Sequence, residues 1–339
     1  QLWSHFRYSE LTEIMRQKDD KRFADLLNRL RTGDTSEGME MLEDRIAKDV
    51  GGEPVKLARF IRQLESEGKR PVCLLPLNDQ VLQTNVAMVA AKGLDFVFSH
   101  ATDQARNRKA SSADCGTAKV PSKGGNSDEV MAQSLDYLGQ KTKQKTRDAG
   151  GLADVVLLAE GARVMLRQNL AVERGLFNGS MGTLKRIVRN PKAPDGIHHL
   201  VVDFDRTGYE RIERCTTRYT FANVSIERSQ FPVTLAFAIT IHSSQGLSLD
   251  CVVTDLGSDI FSAGQAYVAL SRARSLQGLH ILRLQPERIW CDKKAVSEYN
   301  RLRALYTDLA PMVAAPRPTL PPNLRRGTMA RKSVSRPLA

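Results

Sequence analysis

The sequence has 339 residues, with 50 Lys or Arg against 38 Asp or Glu, so its formal net charge is +12. No apolar run approaches the roughly 20 residues of a membrane-spanning helix, so we expect no membrane partner. The five cysteines lie far apart without a CxxC pair, which indicates neither a metal site nor a disulfide framework. The positive charge favours an anionic partner, with nucleic acid the first candidate, although a merely basic protein would show the same surplus.

The first hundred residues predict alternating helices and strands. Apolar residues at helical spacing predict a helix capped by Asp19 or Asp20 and a second helix after Pro54. The short apolar run 72–75 predicts a buried parallel strand, and Asn78 is placed to cap a further helix. This alternation is typical of an α/β layer fold.

The composition changes after residue 100. A polar segment is followed by several short predicted strands, with a turn at Asn178-Gly179. The α/β pattern then returns with one buried strand over 232–240 and a helix over 262–273. The predicted units are 1–100 as the first part of an α/β domain, 101–154 as a mobile low-complexity insertion, 155–179 as return strands of the α/β domain, 180–230 as a small barrel-like insertion, 231–306 as the second part of the α/β domain with a terminal helix, and 307–339 as a disordered basic tail.

The most informative segment is AITIHSSQG at 238–246, where a buried strand ends in a polar cluster closed by glycine. Hydroxyls, an imidazole and free backbone N–H groups at such a junction can bind phosphate oxygens. An ordinary strand-to-helix turn with capping serines would carry the same residues, and the chemistry alone does not separate the two. The candidate residues are Thr240, His242, Ser243, Ser244, Gln245 and Gly246.

Two other segments offer arginines. In QAYVALSRAR at 265–274, Arg272 lies near the end of the predicted helix, where it could act as an arginine finger on a nucleotide held by another domain. A surface arginine bonded within its own helix is the commoner alternative. Arg16 and Gln17 directly precede the helix capped by Asp19 or Asp20, and a guanidinium fixed there could bind a phosphate.

Four segments together resemble one family. In chain order they are LTEIMRQKDDKRFADLLNRLRTG, GARVMLRQNLAVERGLFNGSMGTL, FPVTLAFAITIHSSQGLSLD and QAYVALSRAR. Their order and spacing resemble the second motor domain of Pif1-like superfamily 1B helicases, which include the helicases of Helitron-type mobile elements. The resemblance covers about 1–90 and 155–285, and the last two segments are its most specific part.

The resemblance implies a fold, a cofactor and partners. Motors of this family have two RecA-like domains with ATP and Mg²⁺ between them, and the second domain carries a small SH3-like β-barrel. We therefore expect an α/β, RecA-like parallel-sheet domain with an SH3-like barrel over 180–230. The implied activity is that of an ATP-dependent 5′-to-3′ DNA helicase. Its implied partners are single-stranded or forked DNA and a first RecA-like motor domain, inside the cell and in the nucleus or mitochondrion of a eukaryote.

The resemblance also implies roles for matching residues. Arg16 matches a phosphate-contacting arginine and Arg272 matches the arginine finger, so both are expected to be catalytic. The residues expected to bind the nucleotide are Gln17, Gln245 and Gly246. The residues expected on the DNA side are Thr240, His242, Ser243, Ser244, Asn178 and Asn85. For Asn85, a satisfied polar side chain on an apolar helix face is an equally good interpretation.

The sequence departs from the family pattern in two places. Ser243 stands where the family usually has Lys or Arg, which removes one direct phosphate contact. No GxxxxGK[ST] loop occurs, so ATP and Mg²⁺ are expected to bind mainly to a first motor domain missing from this chain. We therefore expect no ATP hydrolysis by the chain alone. The chain would be either a truncated motor or a remnant that has lost the catalytic half. The alternatives are a non-catalytic nucleic-acid-binding module and a decayed transposon-derived helicase.

Overall fold

The computed structural model describes residues 8, 10, 13–105, 151–221 and 224–306. They belong to two compact units, one formed by 13–292 and the other by the described residues of 1–12 and 293–339. The helices are α1 (Lys21–Arg31), α2 (Met39–Glu43), α3 (Pro54–Ser66), α4 (Asn78–Ala91), α5 (Gln265–Leu270) and α6 (Lys293–Tyr306). The strands are β1 (Pro71–Leu75), β2 (Phe96–His100), β3 (Thr102–Ala105), β4 (Val155–Ala159), β5 (Arg163–Leu166), β6 (Met181–Arg189), β7 (Ile197–Phe204), β8 (Gly208–Ile212), β9 (Cys215–Phe221), β10 (Val224–Gln230), β11 (Val233–Leu235), β12 (Ala238–Thr240), β13 (Cys251–Leu256) and β14 (Leu279–Leu284).

The centre of the larger unit is a four-stranded parallel sheet with the order β12–β1–β13–β14. Side chains alternate between the faces of a strand, so Val72 and Leu74 pack in one core with α1 and α5. Cys73 and Leu75 pack in a second core with α3 and α4. Every residue of β1 is buried, as the sequence predicts for a strand covered on both faces.

The helix boundaries follow local chemistry. Asp20 caps α1, because its Oδ1 accepts the N–H of Phe23 at 3.1 Å, which confirms one of the two predicted caps. Asn78 is not a cap: it lies inside α4, and the N-cap residue is Leu77. None of the helices in the described part of the chain has the length and apolarity needed to cross a bilayer.

The predicted single strand over 232–240 is wrong, because the structure has two strands there. β11 pairs antiparallel with β5, whereas β12 pairs parallel with β1 in the other sheet. The chain changes sheets at Ala236 and Phe237, both 1% exposed. A continuous apolar run shows no change of period where it exchanges one partner strand for another.

The β-rich part is a five-stranded antiparallel sheet with the order β11–β5–β6–β7–β8 and its own apolar core. Residues 155–179 are predicted as return strands of the α/β domain; in the structure, β4 pairs with β2, and β5 joins the antiparallel sheet. The partner strands of β4 and β5 include β2 and β11, which lie far away in sequence, so the local pattern identified these strands but not their sheet.

A third sheet, β3–β10–β9, borders the segment predicted as a mobile insertion. Part of that prediction needs correction, since Thr102–Ala105 forms β3 and pairs antiparallel with β10. Residues 106–150 and the predicted disordered tail at 307–339 lie outside the described residues.

Candidate functional site

The segment after β12 forms a tight polar turn. His242–Ser244 is one turn of 3-10 helix, and Gly246 follows with φ +85°, a left-handed conformation that favours glycine. Gln245 and Gly246 are both exposed. Ser244 is fully buried, and its Oγ donates to the Ile241 carbonyl at 2.6 Å. Its hydroxyl therefore stabilises the turn from inside, while Gln245 and Gly246 face outward.

The turn is hydrogen-bonded to the end of α5, which carries the second motif. The Leu249 N–H donates to the Arg272 carbonyl at 3.0 Å, and the Arg274 N–H donates to the Leu249 carbonyl at 3.1 Å. This parallel bridge places the backbone of Arg272 beside the segment that follows Gly246. The predicted helix over 262–273 is shorter in the structure, with Arg272 two residues beyond α5.

Arg16 and Gln17 join the same place from the N-terminal segment. Arg16 donates from Nε to Ser248 Oγ and from Nη1 to the Ser271 carbonyl, both at 2.8 Å. The buried Gln17 donates from Nε2 to the carbonyls of Ala273 at 2.6 Å and Ser271 at 3.3 Å. The structure thus joins the N-terminal segment to two segments that lie more than two hundred residues later in the sequence.

Arg272 is 9% exposed, and among the described residues its side chain bonds to Val268 and Ser271 at the end of its own helix. Nε donates to the Val268 carbonyl at 2.9 Å, and Nη2 donates to Ser271 Oγ at 2.8 Å. Burial lowers the pKa of Arg272, and the positive charge of Arg16 lowers it further. Within the described residues, neither of these arginines belongs to an ion pair. Two neighbouring guanidinium groups without a carboxylate form a site that an anion such as phosphate would stabilise.

Three of the residues predicted for the DNA side, Thr240, His242 and Ser243, lie at the other end of the turn. Thr240 Oγ1 and Ser243 Oγ are 2.9 Å apart, and the Ser243 N–H donates to Thr240 Oγ1 at 3.3 Å. His242 is exposed, and its ring centroid lies 6.2 Å from that of Phe261. This end of the turn therefore offers hydroxyls, an imidazole and an aromatic ring.

Asn178 and Gly179 form a turn that packs against the site. Gly179 has φ +100°, and its N–H donates to the Leu166 carbonyl at 2.9 Å. A Cβ added to Gly179 would lie 3.3 Å from Leu247 Cδ2, so the two segments are in contact. Asn178 is exposed beside them, with its N–H bonded to Asn169 Oδ1 at 2.8 Å.

Asn85 lies in the interior at 4% exposure. Its Nδ2 donates to the Ala238 carbonyl at 2.8 Å, and its Oδ1 accepts the Ala238 N–H at 2.9 Å. The side-chain amide pairs with the backbone of β12 as a neighbouring strand would. These contacts favour the interpretation of Asn85 as a satisfied structural residue.

Sequence reasoning missed three residues of this region. Ser248 and Ser271 anchor Arg16, and Phe261 lies beside His242. The two serines lie inside motifs that the sequence singles out, but no local pattern marks them as hydrogen-bond acceptors for an arginine. Phe261 has no local signal, because its place beside His242 depends on how the chain folds back.

No protein-family model matches the chain. The ATP-dependent DNA helicase PIF1 of Mus musculus is 44% identical over 149 residues, which is 44% of this chain and 22% of that protein. The chain thus covers less than a quarter of this curated relative. The crystal structure of Pif1 helicase from Candida albicans matches with a TM-score of 0.52 and 26% identity, covering 86% of this chain and 60% of that one.

A Bacteroides Pif1 helicase in complex with ADP-AlF3 and ssDNA matches with a TM-score of 0.57 and 21% identity, covering 88% of this chain and 57% of that one. The parallel sheet and these likenesses define an α/β fold of the RecA-like type. The chain is similar to Pif1 helicases in both sequence and fold, which confirms the Pif1-like resemblance stated from its motifs.

Proposed function

We propose that this chain supplies the second motor domain of an ATP-dependent 5′-to-3′ DNA helicase. The observation that carries the proposal is the Arg16–Arg272 pair. Both guanidiniums bond to Ser271, and within the described residues neither has an acidic partner. Arg272 is buried and Arg16 partly buried, and cations removed from water are costly unless an anion compensates them. A nucleotide phosphate is the anion that such a motor binds.

On the nucleotide side, each residue has a distinct part in the proposal. Arg272 is the arginine finger, and Arg16 contacts a phosphate next to it. Gln17 holds the 271–273 backbone in place, while the exposed Gln245 and Gly246 face the nucleotide. ATP and Mg²⁺ would be held mainly by a first motor domain, since this sequence has no phosphate-binding loop. When bound, ATP would supply the phosphoryl group and Mg²⁺ would supply positive charge that neutralises it.

On the DNA side, we assign Thr240, His242 and Ser243 to contacts with the backbone of single-stranded or forked DNA. Asn178, exposed in the neighbouring turn, lies at the edge of this DNA-binding surface. Ser244 shapes the turn from inside, and Asn85 holds β12. The five-stranded antiparallel sheet corresponds in this proposal to the SH3-like insertion, with β5 and β11 attaching it to the RecA-like domain. The proposal places the protein inside the cell, in the nucleus or mitochondrion of a eukaryote.

The test is DNA-stimulated ATP hydrolysis by the chain alone and by the chain joined to the first motor domain of a Pif1 helicase. We expect no turnover by the chain alone and turnover by the joined protein. The control is the same first domain with its own second domain. The proposal fails if that control is active while the joined protein binds single-stranded DNA without hydrolysing ATP.

That last result would favour a second candidate function, a non-catalytic nucleic-acid-binding module. Two observations support this candidate: the missing phosphate-binding loop, and Ser243 at a position where the family usually has a cation. The uncompensated arginine pair counts against it, because a module without a nucleotide has no use for two unpaired guanidiniums next to each other.

A further inference from the structure

Phe261 is 59% exposed and lies beside the exposed imidazole of His242. The two ring centroids are 6.2 Å apart and the ring planes meet at 33°. We propose that the Phe261 ring, beside the His242 imidazole, forms a stacking surface for an unpaired base of single-stranded DNA. This inference rests on the DNA side of the proposed function, and it adds a residue that contacts the base rather than the backbone.

The backbone of Phe261 is held firmly although its ring is exposed. Gln265, 3% exposed, accepts the N–H groups of Phe261 at 3.0 Å and Ser262 at 3.3 Å through its Oε1. The preceding residue, Ile260, is completely buried in the core of the parallel sheet. A ring projecting from a fixed backbone loses little conformational entropy on binding, which makes it suited to stacking.

A polar network holds the same loop from the other side. Asp259 accepts hydrogen bonds from Arg283 Nη2 at 2.9 Å and from Gln80 Nε2 at 2.8 Å. Arg283 is in turn bonded to the buried Asp255, at the end of β13. The loop therefore ties α4, β13 and β14 together while it presents the Phe261 ring to solvent.

The surroundings of the ring favour a nucleotide over a protein surface. Single exposed apolar side chains are common and need no function. Here, however, the ring lies next to an imidazole, and the hydroxyls of Thr240 and Ser243 flank that imidazole in sequence. The core of a protein interface is mainly apolar, whereas single-strand sites combine an aromatic face with polar groups for the phosphate. The net charge of +12 suits the same ligand.

The experiment compares the affinity of the full chain for oligo-dT with its affinity for an abasic sugar-phosphate strand of the same length. Phe261→Ala should weaken dT binding about tenfold and leave abasic binding unchanged, because base stacking is lost. Phe261→Trp should restore dT binding. Tyr209→Ala is the matched control, since Tyr209 is 69% exposed on β8, and it should change neither affinity.

A 2-aminopurine base in the strand gives a direct readout, as its fluorescence should be quenched by wild type and not by Phe261→Ala. Equal dT affinity of Phe261→Ala and wild type overturns the stacking inference and leaves the DNA side standing. Equal loss on dT and abasic strands also overturns it, by showing a distorted loop. Unchanged DNA binding with weaker association to a first motor domain assigns the ring to a protein interface. No binding of either strand by wild type overturns the DNA side itself.

Discussion

Two buried arginines in this protein, Arg228 and Arg272, have opposite surroundings. Arg228, on β10, has a side chain 7% exposed and forms ion pairs with Asp103 and Asp154. Burial lowers the pKa of Arg228, but the hydrogen bonds to Asp103 and the charge of Asp154 outweigh it and raise the pKa. For Arg272, burial and the neighbouring Arg16 both lower the pKa.

In the proposed function, this difference separates a structural charge, that of Arg228, from a charge that binds a ligand, that of Arg272. Arg228 donates to Asp103, which precedes the 106–150 segment, and to the Leu152 carbonyl, which follows it. Its charge is compensated by Asp103 and Asp154, and its bonds link β10 to both sides of that segment. Arg272 bonds only to a carbonyl and a hydroxyl, which leaves its charge uncompensated within the described residues. Groups whose pKa values are shifted by burial and by a neighbouring like charge concentrate at functional sites.

The largest expected effect is on catalysis. On the proposed function, Arg272→Ala should reduce the ATP turnover of a protein joined to a first motor domain by about 10³-fold or more, because an arginine finger contributes that much. DNA affinity and thermal stability should stay near wild type, since no acidic partner is left behind. Arg274→Ala is the control, as its ion pair with Asp250 is exposed, and it should retain turnover. Near-normal turnover of Arg272→Ala would remove the finger assignment.

The second effect is on stability. Arg228→Met should lower the free energy of unfolding by about 3–5 kcal/mol, because it leaves the partly buried carboxylates of Asp103 and Asp154 without their positive partner. Arg218→Met, in the exposed pair with Glu227 on the neighbouring strand, should cost less than about 1 kcal/mol. Urea unfolding measures both. Equal losses in the two variants would show that the burial of Arg228 has no energetic consequence.

A third, smaller effect concerns the satisfied amide of Asn85. Asn85→Ala leaves the N–H and carbonyl of Ala238 without their partner, so we expect a loss of about 1–3 kcal/mol in unfolding free energy. The exposed Gln83 on the same helix gives the control Gln83→Ala, with a negligible loss. DNA affinity of the folded Asn85→Ala fraction should match wild type. A selective loss of DNA affinity with unchanged stability would restore the DNA-contact interpretation.

The smallest effect is a pH dependence from His280. Burial first, then the charges of Arg45 and Lys69, lower the pKa of His280 from 6.5 to about 4. The unfolded chain therefore binds a proton between these pH values when the folded chain does not, so stability falls as the pH drops from 6.5 to 4. His280→Phe should reduce this fall by about 1 kcal/mol, after allowance for partial exposure. Parallel stability curves of variant and wild type over this range would contradict it.

Much of the fold and part of the site were predictable from local pattern. The strand at 72–75, the helix after Pro54 and the Asp20 cap each depend on a few neighbouring residues, and all three are present. The strand over 232–240 was predicted as one because its apolar run is unbroken, although its halves pair in different sheets.

The sequence alone determined the motifs, the RecA-like class and which arginines were candidates for phosphate contacts, because short segments carry those patterns in full. Only the tertiary structure decided which arginines lack an acidic partner. Arg16 meets Ser271 across 255 positions, and Arg228 meets Asp103 across 125. The tertiary structure also decided the surroundings of Phe261, because its neighbour His242 lies on a different element. A charge or a ring takes its role from what surrounds it, and for these residues the surroundings come from distant parts of the chain.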